Sequence, residues 1–180
     1  LWLSIVEMLN SSIMSWLKKI EHKIHYQRST SLNLPSDKKI VFTNGCFDIL
    51  HKGHVEYLAE AADLGEFLVV GINSDQSVKN QGKGEERPIN KIHARATLLA
   101  ALSFVDCVIE FDAQTPIQLI ERIKPNVLVK GADYNPNQTD ASAKDYIVGR
   151  EIVLENGGEV KVIDLVQGFS TTGIINKIQI

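Results

Sequence analysis

The chain has 180 residues, 44% of them hydrophobic, and a formal net charge of −3 from 19 basic and 22 acidic side chains. That length fits one domain with an appendage and one real core. The balanced charge excludes a globally basic nucleic-acid surface, and no apolar run is long enough to span a membrane. The two cysteines, Cys46 and Cys107, are too far apart for a CxxC metal or redox pair, and read as buried, reduced thiols of a cytoplasmic protein.

In chain order, Trp2, Val6, Leu9, Ile13, Trp16, Ile20 and Ile24 recur at spacings of three or four, the period of an amphipathic helix. The stretch lacks the basic start and small-residue cleavage site of a secretory signal. Residues 1–34 therefore read as a helical extension with a polar linker, and residues 35–180 as the main domain. The apolar stripe fits packing on the domain, self-association or a membrane surface. His22, His25 and His93 have no partner pattern and read as surface residues.

From Lys39 onward, strand-like and helix-like runs alternate. Lys39–Thr43 predicts a buried strand, Val55–Leu64 a helix and Phe67–Ile72 a second strand. Ala94–Leu102 predicts a helix, Cys107–Phe111 a strand and Pro116–Ile123 a helix that starts at its proline. Val127–Val129 is a short strand, and Lys144–Glu155 a helix closed by Gly157-Gly158. Glu159–Ile163 is the last strand and Thr172–Ile178 the last helix. Residues 80–88 and 131–143 read as polar loops, the first of them charged and mobile. This rhythm predicts an α/β fold: a Rossmann-like, three-layer α/β/α sandwich on a parallel sheet of about five strands. Ligands of such sheets bind beyond the carboxyl ends of the strands.

The segment Thr43-Asn-Gly-Cys-Phe-Asp-Ile-Leu-His-Lys-Gly-His54 carries the chemistry. A strand ends, Gly45 turns, and His51-x-Gly53-His54 opens a helix. A helix N-terminus offers free N–H groups and the positive end of a dipole to phosphate. Gly53 lets a phosphate approach the backbone, and two imidazoles on one face of the first turn can stabilise growing negative charge. Gly168-Phe-Ser-Thr-Thr172 precedes the last helix, where Ser170, Thr171 and Thr172 either cap it or cradle further phosphates. Lys130 and Gly131 end a strand on the ligand edge; the lysine either neutralises a phosphate or is simply solvated. Arg87 and Arg95 flank the charged loop as phosphate clamps, with a solvated helix face the other reading of Arg95. Asp48 either meets a magnesium ion or holds its turn by hydrogen bonding. Asp75 is a helix N-cap in the structural reading and a nucleotide contact in the functional one. Asp133 and Tyr134 either approach a sugar or shape their loop.

These motifs resemble the HxGH nucleotidyltransferase superfamily, which includes glycerol-phosphate and choline-phosphate cytidylyltransferases. The Phe42-Thr-Asn-Gly-Cys-Phe-Asp wording is similar to the branch of D-glycero-β-D-manno-heptose 1-phosphate adenylyltransferases. Gly71-Ile-Asn-Ser-Asp75, Arg87-Pro-Ile89, Leu128-Val-Lys-Gly-Ala-Asp-Tyr134 and Phe169-Ser-Thr-Thr172 continue that likeness, which covers residues 39–178. Ala132 replaces a usual glycine, and the loop from Tyr134 to Ile147 is longer than that branch leads one to expect. The resemblance implies transfer of AMP from ATP to a heptose 1-phosphate, with release of pyrophosphate and formation of ADP-heptose for lipopolysaccharide. It implies His51, His54 and Lys130 as catalytic. Thr43, Asn44, Gly45, Cys46, Phe47, Asp48, Gly53, Asp75, Arg87, Arg95, Gly131, Ser170, Thr171 and Thr172 are implied for the nucleotide and its phosphates, and Asp133 and Tyr134 for the sugar phosphate. Mg²⁺ would travel with ATP, held by phosphate oxygens rather than by protein ligands. Further expectations are a stand-alone domain, with the heptose kinase and the phosphatase of the pathway on other chains, and self-association. A cytidylyltransferase for glycerol 3-phosphate and a nucleotide-binding module without catalysis are the alternatives.

Overall fold

A computed structural model describes residues 15–26, 32–82, 84 and 86–178. The N-terminal part of the predicted helix, residues 1–14, lies outside the described residues, as do residues 27–31, which include the first half of the linker, and positions 83 and 85 of the charged loop.

The described elements run α1 (Trp16–His22), β1 (Ile24–His25), β2 (Ile40–Gly45), α2 (Lys52–Ala62), β3 (Phe67–Asn73), α3 (Asp75–Asn80) and α4 (Ile92–Ala100). They continue with β4 (Cys107–Phe111), α5 (Ile117–Ile123), β5 (Val127–Gly131), α6 (Arg150–Glu155), β6 (Glu159–Ile163) and α7 (Thr171–Ile178). The strands form one six-stranded sheet in the order β1-β4-β3-β2-β5-β6, every pair parallel. Its inner strands are continuous β-branched and apolar runs because both faces are covered.

Alternate residues of each strand point to opposite faces and build two cores. Val41, Leu68, Val70, Val108 and Val127 face α2 and α4 through Leu58, Ala96 and Leu99. Phe42, Val69, Cys107, Ile109 and Leu128 face α5 and α6 through Leu119, Ile120 and Val153. The result is the expected three-layer α/β/α sandwich.

Three expectations need correction. The N-terminal helix does not continue through Ile24. It stops at His22, and Ile24 and His25 become a sixth strand along β4. The Lys23 ammonium fixes that turn by donating to the carbonyls of Val105 (2.7 Å) and Leu102 (3.3 Å). His25 is thus half-buried, and burial holds its pKa below the ordinary value, with His22 adding to the effect. His93 is exposed but hydrogen-bonds the Tyr26 hydroxyl at 2.8 Å.

The predicted helix 144–155 begins only at Arg150. Gly149 before it has φ +86°, and a Cβ there would meet Ile120 at 2.5 Å, so the backbone turns sharply under α5. Asp75 is not an N-cap: Ser74 caps α3, its hydroxyl accepting from Ser77 N–H at 2.9 Å.

Sheet topology places the site. β2 lies centrally, the chain goes first to β3 on one side, and later returns through β5 on the other. A crevice opens where the order reverses. Pairing of β2 with β3 runs to Gly45, whereas pairing of β2 with β5 is confined to Val41 and Phe42. Beyond Phe42 the two strands diverge.

Candidate active site

At the carboxyl ends of β2, β3 and β5 lies a cavity of about 370 Å³, lined by Asn44, Gly45, Cys46, Phe47, His51, Gly53 and His54. Lys130, Gly131, Asp133, Tyr134, Ser170 and Thr171 close its other sides. Cys46, Phe47, His54 and Thr171 also border a second hollow, with Asp48, Arg87 and Thr172.

His51 is the N-cap of α2, and its Nδ1 accepts the backbone N–H of His54 at 3.3 Å. That role usually falls to Ser, Thr, Asp or Asn. A nitrogen that accepts carries no proton, so the neutral ring has its N–H at Nε2. The His51 and His54 rings stack, with centroids 3.8 Å apart and planes 15° from parallel. Burial lowers the pKa of His51. Burial first, and His51 second, push His54 down to about 4, against a smaller opposing effect of the Ile49 backbone. Near neutral pH the pair is therefore two uncharged N–H donors. His54 Nδ1 is buried with no hydrogen bond of good geometry among the described residues, and the edge of Phe47 lies 5.2 Å from the ring.

The glycines make this packing feasible. A Cβ at Gly53 would lie 3.2 Å from His51 Nδ1 and from Phe169 Cβ, and one at Gly45 would lie 3.1 Å from the Phe47 ring. Phe47 itself has φ +45°, an uncommon conformation for a bulky residue, and its buried ring holds it there.

Lys130 is not the solvated lysine of the alternative reading: only 7% of it is exposed. Its ammonium donates to Asn44 Oδ1 at 2.6 Å and stands 5.2 Å from the centre of the Tyr134 ring. Burial pushes its pKa down to about 8, while the Asp133 carboxylate acts the other way. Across the cavity, the Ser170 hydroxyl accepts Gly173 N–H at 3.0 Å, so it caps α7 while facing the ligand space.

Several sequence-selected residues stand behind the wall rather than in it. Arg95 is 1% exposed and lies neither on a solvated face nor in the cavity. It donates to the carbonyls of Cys46 (2.7 Å) and Asn90 (2.9 Å) and to the Asp75 carboxylate (2.8 Å), bracing the histidine loop from beneath. Asp75 is engaged in that pair. Thr43 is fully buried and hydrogen-bonds the Tyr57 hydroxyl at 2.7 Å. Cys107 is buried as expected; Cys46 is only half-buried and lines the cavity. Asp48 holds structure: it pairs with Arg87, accepts the Asn90 N–H at 2.9 Å, and its carbonyl accepts from the Asn90 amide at 2.7 Å.

The sequence reading missed Tyr57, Asn73, Gln81 and Leu165 as lining residues. Tyr57 follows His54 by one helical turn, and that spacing could have flagged it. Gln81, at the C-cap of α3, borders the site, and its side-chain amide oxygen accepts the Cys46 thiol at 3.1 Å.

The cytidylyltransferase-like family model matches residues 42–177. The chain is 51% identical over 177 residues to the bifunctional protein HldE of Campylobacter concisus, a match covering 97% of this chain and 34% of that one. It is 46% identical over 175 residues to the bifunctional protein HldE of Haemophilus ducreyi, covering 89% and 35%. The chain thus spans about a third of the length of the curated relatives it matches. Among solved structures, the lipopolysaccharide core biosynthesis protein of Thermoplasma volcanium superposes with a TM-score of 0.54 at 29% identity, covering 72% of this chain and 97% of that one. Pantoate-beta-alanine ligase of Francisella tularensis, at 17% identity and a TM-score of 0.52, shares the fold.

Proposed function

The chain belongs to the cytidylyltransferase-like family, and from that premise we propose that it transfers AMP from ATP to D-glycero-β-D-manno-heptose 1-phosphate, releasing pyrophosphate and forming ADP-heptose. The observation that carries the reaction class is the stacked, uncharged His51–His54 pair at the start of α2, facing a cavity that holds the buried ammonium of Lys130. Adenine and heptose rest on the sequence resemblance; the 29% likeness to a protein of lipopolysaccharide core biosynthesis supports a place in that biosynthesis.

An oxygen of the acceptor phosphate attacks the α-phosphorus of ATP in line. The new P–O bond forms as the bond to the α–β bridging oxygen breaks, and the electron pair leaves with pyrophosphate. The attacking oxygen is already ionised, so no side chain need become a nucleophile. Catalysis is positioning plus stabilisation of charge. His51 donates from Nε2, His54 lies against it, and Lys130 supplies the positive charge from the opposite wall. The start of α7, with Ser170, Thr171 and Thr172, and the guanidinium of Arg87 in the adjoining hollow receive the departing pyrophosphate.

Mg²⁺ fits this site as part of the nucleotide. Asp48 is already engaged by Arg87 and Asn90, and among the described residues no group of three or more His, Cys, Asp or Glu side chains could hold a metal ion, so phosphate oxygens would supply most of its ligands. When bound it neutralises phosphate charge. We place the enzyme in the cytoplasm, where ATP is available. No helix among the described residues is long and apolar enough to cross a membrane. Self-association would use the exposed Trp16 and Leu17 of α1.

The test is pyrophosphate release with Mg²⁺, pairing ATP or CTP with heptose 1-phosphate or glycerol 3-phosphate. Turnover with ATP and the heptose alone is expected. Turnover with CTP and glycerol phosphate moves the substrates and keeps the mechanism. Silence from folded protein in every pairing overturns the catalytic reading.

The pH profile tests Lys130. The ratio kcat/KM reports the free enzyme, in which burial places this lysine at about 8. Because the charged form is the active one, kcat/KM should be level just above neutrality and fall about tenfold per pH unit above that point. Lys130→Arg, whose charge persists, should lose this alkaline limb. An unchanged limb in that variant removes Lys130 from the role.

A further inference from the structure

Lys130, the last residue but one of β5, lies almost wholly out of solvent. Among the described residues no carboxylate lies within ion-pair distance of it. A buried ammonium without a counter-ion is costly, and most buried lysines either find a carboxylate or give up the proton. This one is held by two groups that carry no charge of their own.

The first is Asn44, whose side-chain oxygen accepts from the ammonium at 2.6 Å. The second is the ring face of Tyr134, which attracts a cation through its quadrupole. They come from different elements. Asn44 lies near the end of β2, past the point where backbone pairing with β5 has stopped. Its bond to Lys130 spans the mouth of the crevice that the diverging strands open. Tyr134 lies in the loop after β5. Both residues line the same cavity as the histidine pair.

An amide oxygen and an aromatic ring attract a cation without neutralising it. A carboxylate at position 44 would hold the lysine more firmly and cancel its charge toward an incoming phosphate. We propose that Asn44 and Tyr134 are positioning residues that keep Lys130 charged, fixed across the crevice and without a carboxylate in direct contact, so that its charge meets the substrate phosphate. The inference rests on the nucleotidyl-transfer reading for the identity of that phosphate; the arrangement itself is read from the geometry.

The titratable groups around the cavity are few. Asp133, in the loop after β5, is a carboxylate acting on Lys130 at longer range. The Tyr134 phenol is raised by burial and then by Asp133 and Cys46, and that of Tyr57 on α2 is raised chiefly by burial. His51 and His54, at the start of α2, are lowered. None but Asp133 adds a negative charge near neutral pH.

The experiment is an NMR titration of the lysine side chains in the full chain, with the Lys130 signal identified by its loss in Lys130→Arg. Asn44→Leu and Tyr134→Leu should each lower the Lys130 midpoint, the first by roughly one pH unit, and Asn44→Asp should raise it by a similar amount. Tyr134→Phe keeps the ring and should keep the midpoint. The alkaline limb of kcat/KM should follow the midpoint down in Asn44→Leu. Circular dichroism identifies any variant that fails to fold, and the opposite shifts of the Leu and Asp variants at position 44 separate tuning from general damage. Midpoints that stay put in folded Asn44→Leu and Asn44→Asp overturn the proposal. The titration needs no turnover. An enzyme that is active while the midpoints stay put refutes only this inference, and shifting midpoints without turnover refute only the reaction.

Discussion

His54→Ala should lower kcat for pyrophosphate release by about a hundred- to a thousandfold, the usual cost of removing one donor that meets charge developing in the transition state. The fold should survive. His54 Nδ1 has no well-formed hydrogen bond among the described residues, so truncation removes at most a weak contact with the Ile49 backbone. Its ring lies against His51 and the edge of Phe47, at the rim of a cavity that water can fill. Affinity for ATP, measured by calorimetry, should change far less than kcat, because the missing interaction belongs to the transition state. Turnover within a few-fold of the parent would remove His54 from the mechanism. His51 is the poorer first target. Its Nδ1 caps α2, so His51→Ala mixes lost chemistry with about 0.5–2 kcal/mol of lost helix stability.

Asp48→Ala should destabilise the protein by about 3 kcal/mol or more, read as a lower urea midpoint at unchanged slope. Asp48 is 1% exposed, and it fastens Arg87 and Asn90 to the histidine loop. Its removal leaves a largely buried guanidinium and the Asn90 N–H without their acceptor. Arg87→Ala should cost at least as much, because the carboxylate it abandons has no exposed surface at all. Arg87 sits on a loop and can swing toward solvent; Asp48 cannot. The double variant should cost less than the sum of the two, since the residues share one interaction. Additive losses would show that the pair is not coupled and that Asp48 acts through the Asn90 contact alone.

His54 and Asp48 are six apart, one in the first turn of α2 and the other in the loop before it, yet they differ in what the sequence discloses. The HxGH spacing, on a strand-turn-helix background, was enough to single out His54. For Asp48 the same sequence left metal contact and turn bracing open, because its partners lie 39 and 42 residues away. Arg95 is the sharper case. Its place on a helix beside a charged loop was compatible with a phosphate clamp or a solvated face, and burial under Cys46 gave it neither position.

The sequence by itself determined the layered α/β plan, the parallel strands and the HxGH start of α2 that lines the cavity. Those features are written in local signals: β-branched runs, helical spacing, and glycine at turns where a Cβ meets a neighbour. Only the tertiary structure decided that Ile24 and His25 extend the sheet, since a two-residue strand has no periodicity and exists because the edge of β4 is there to pair with. Only the tertiary structure decided that His51 spends Nδ1 on a backbone N–H and that Lys130 is buried against Asn44, 86 residues away. Protonation and burial are set by what surrounds a side chain in space, and long-range neighbours leave no spacing in the chain by which to read them.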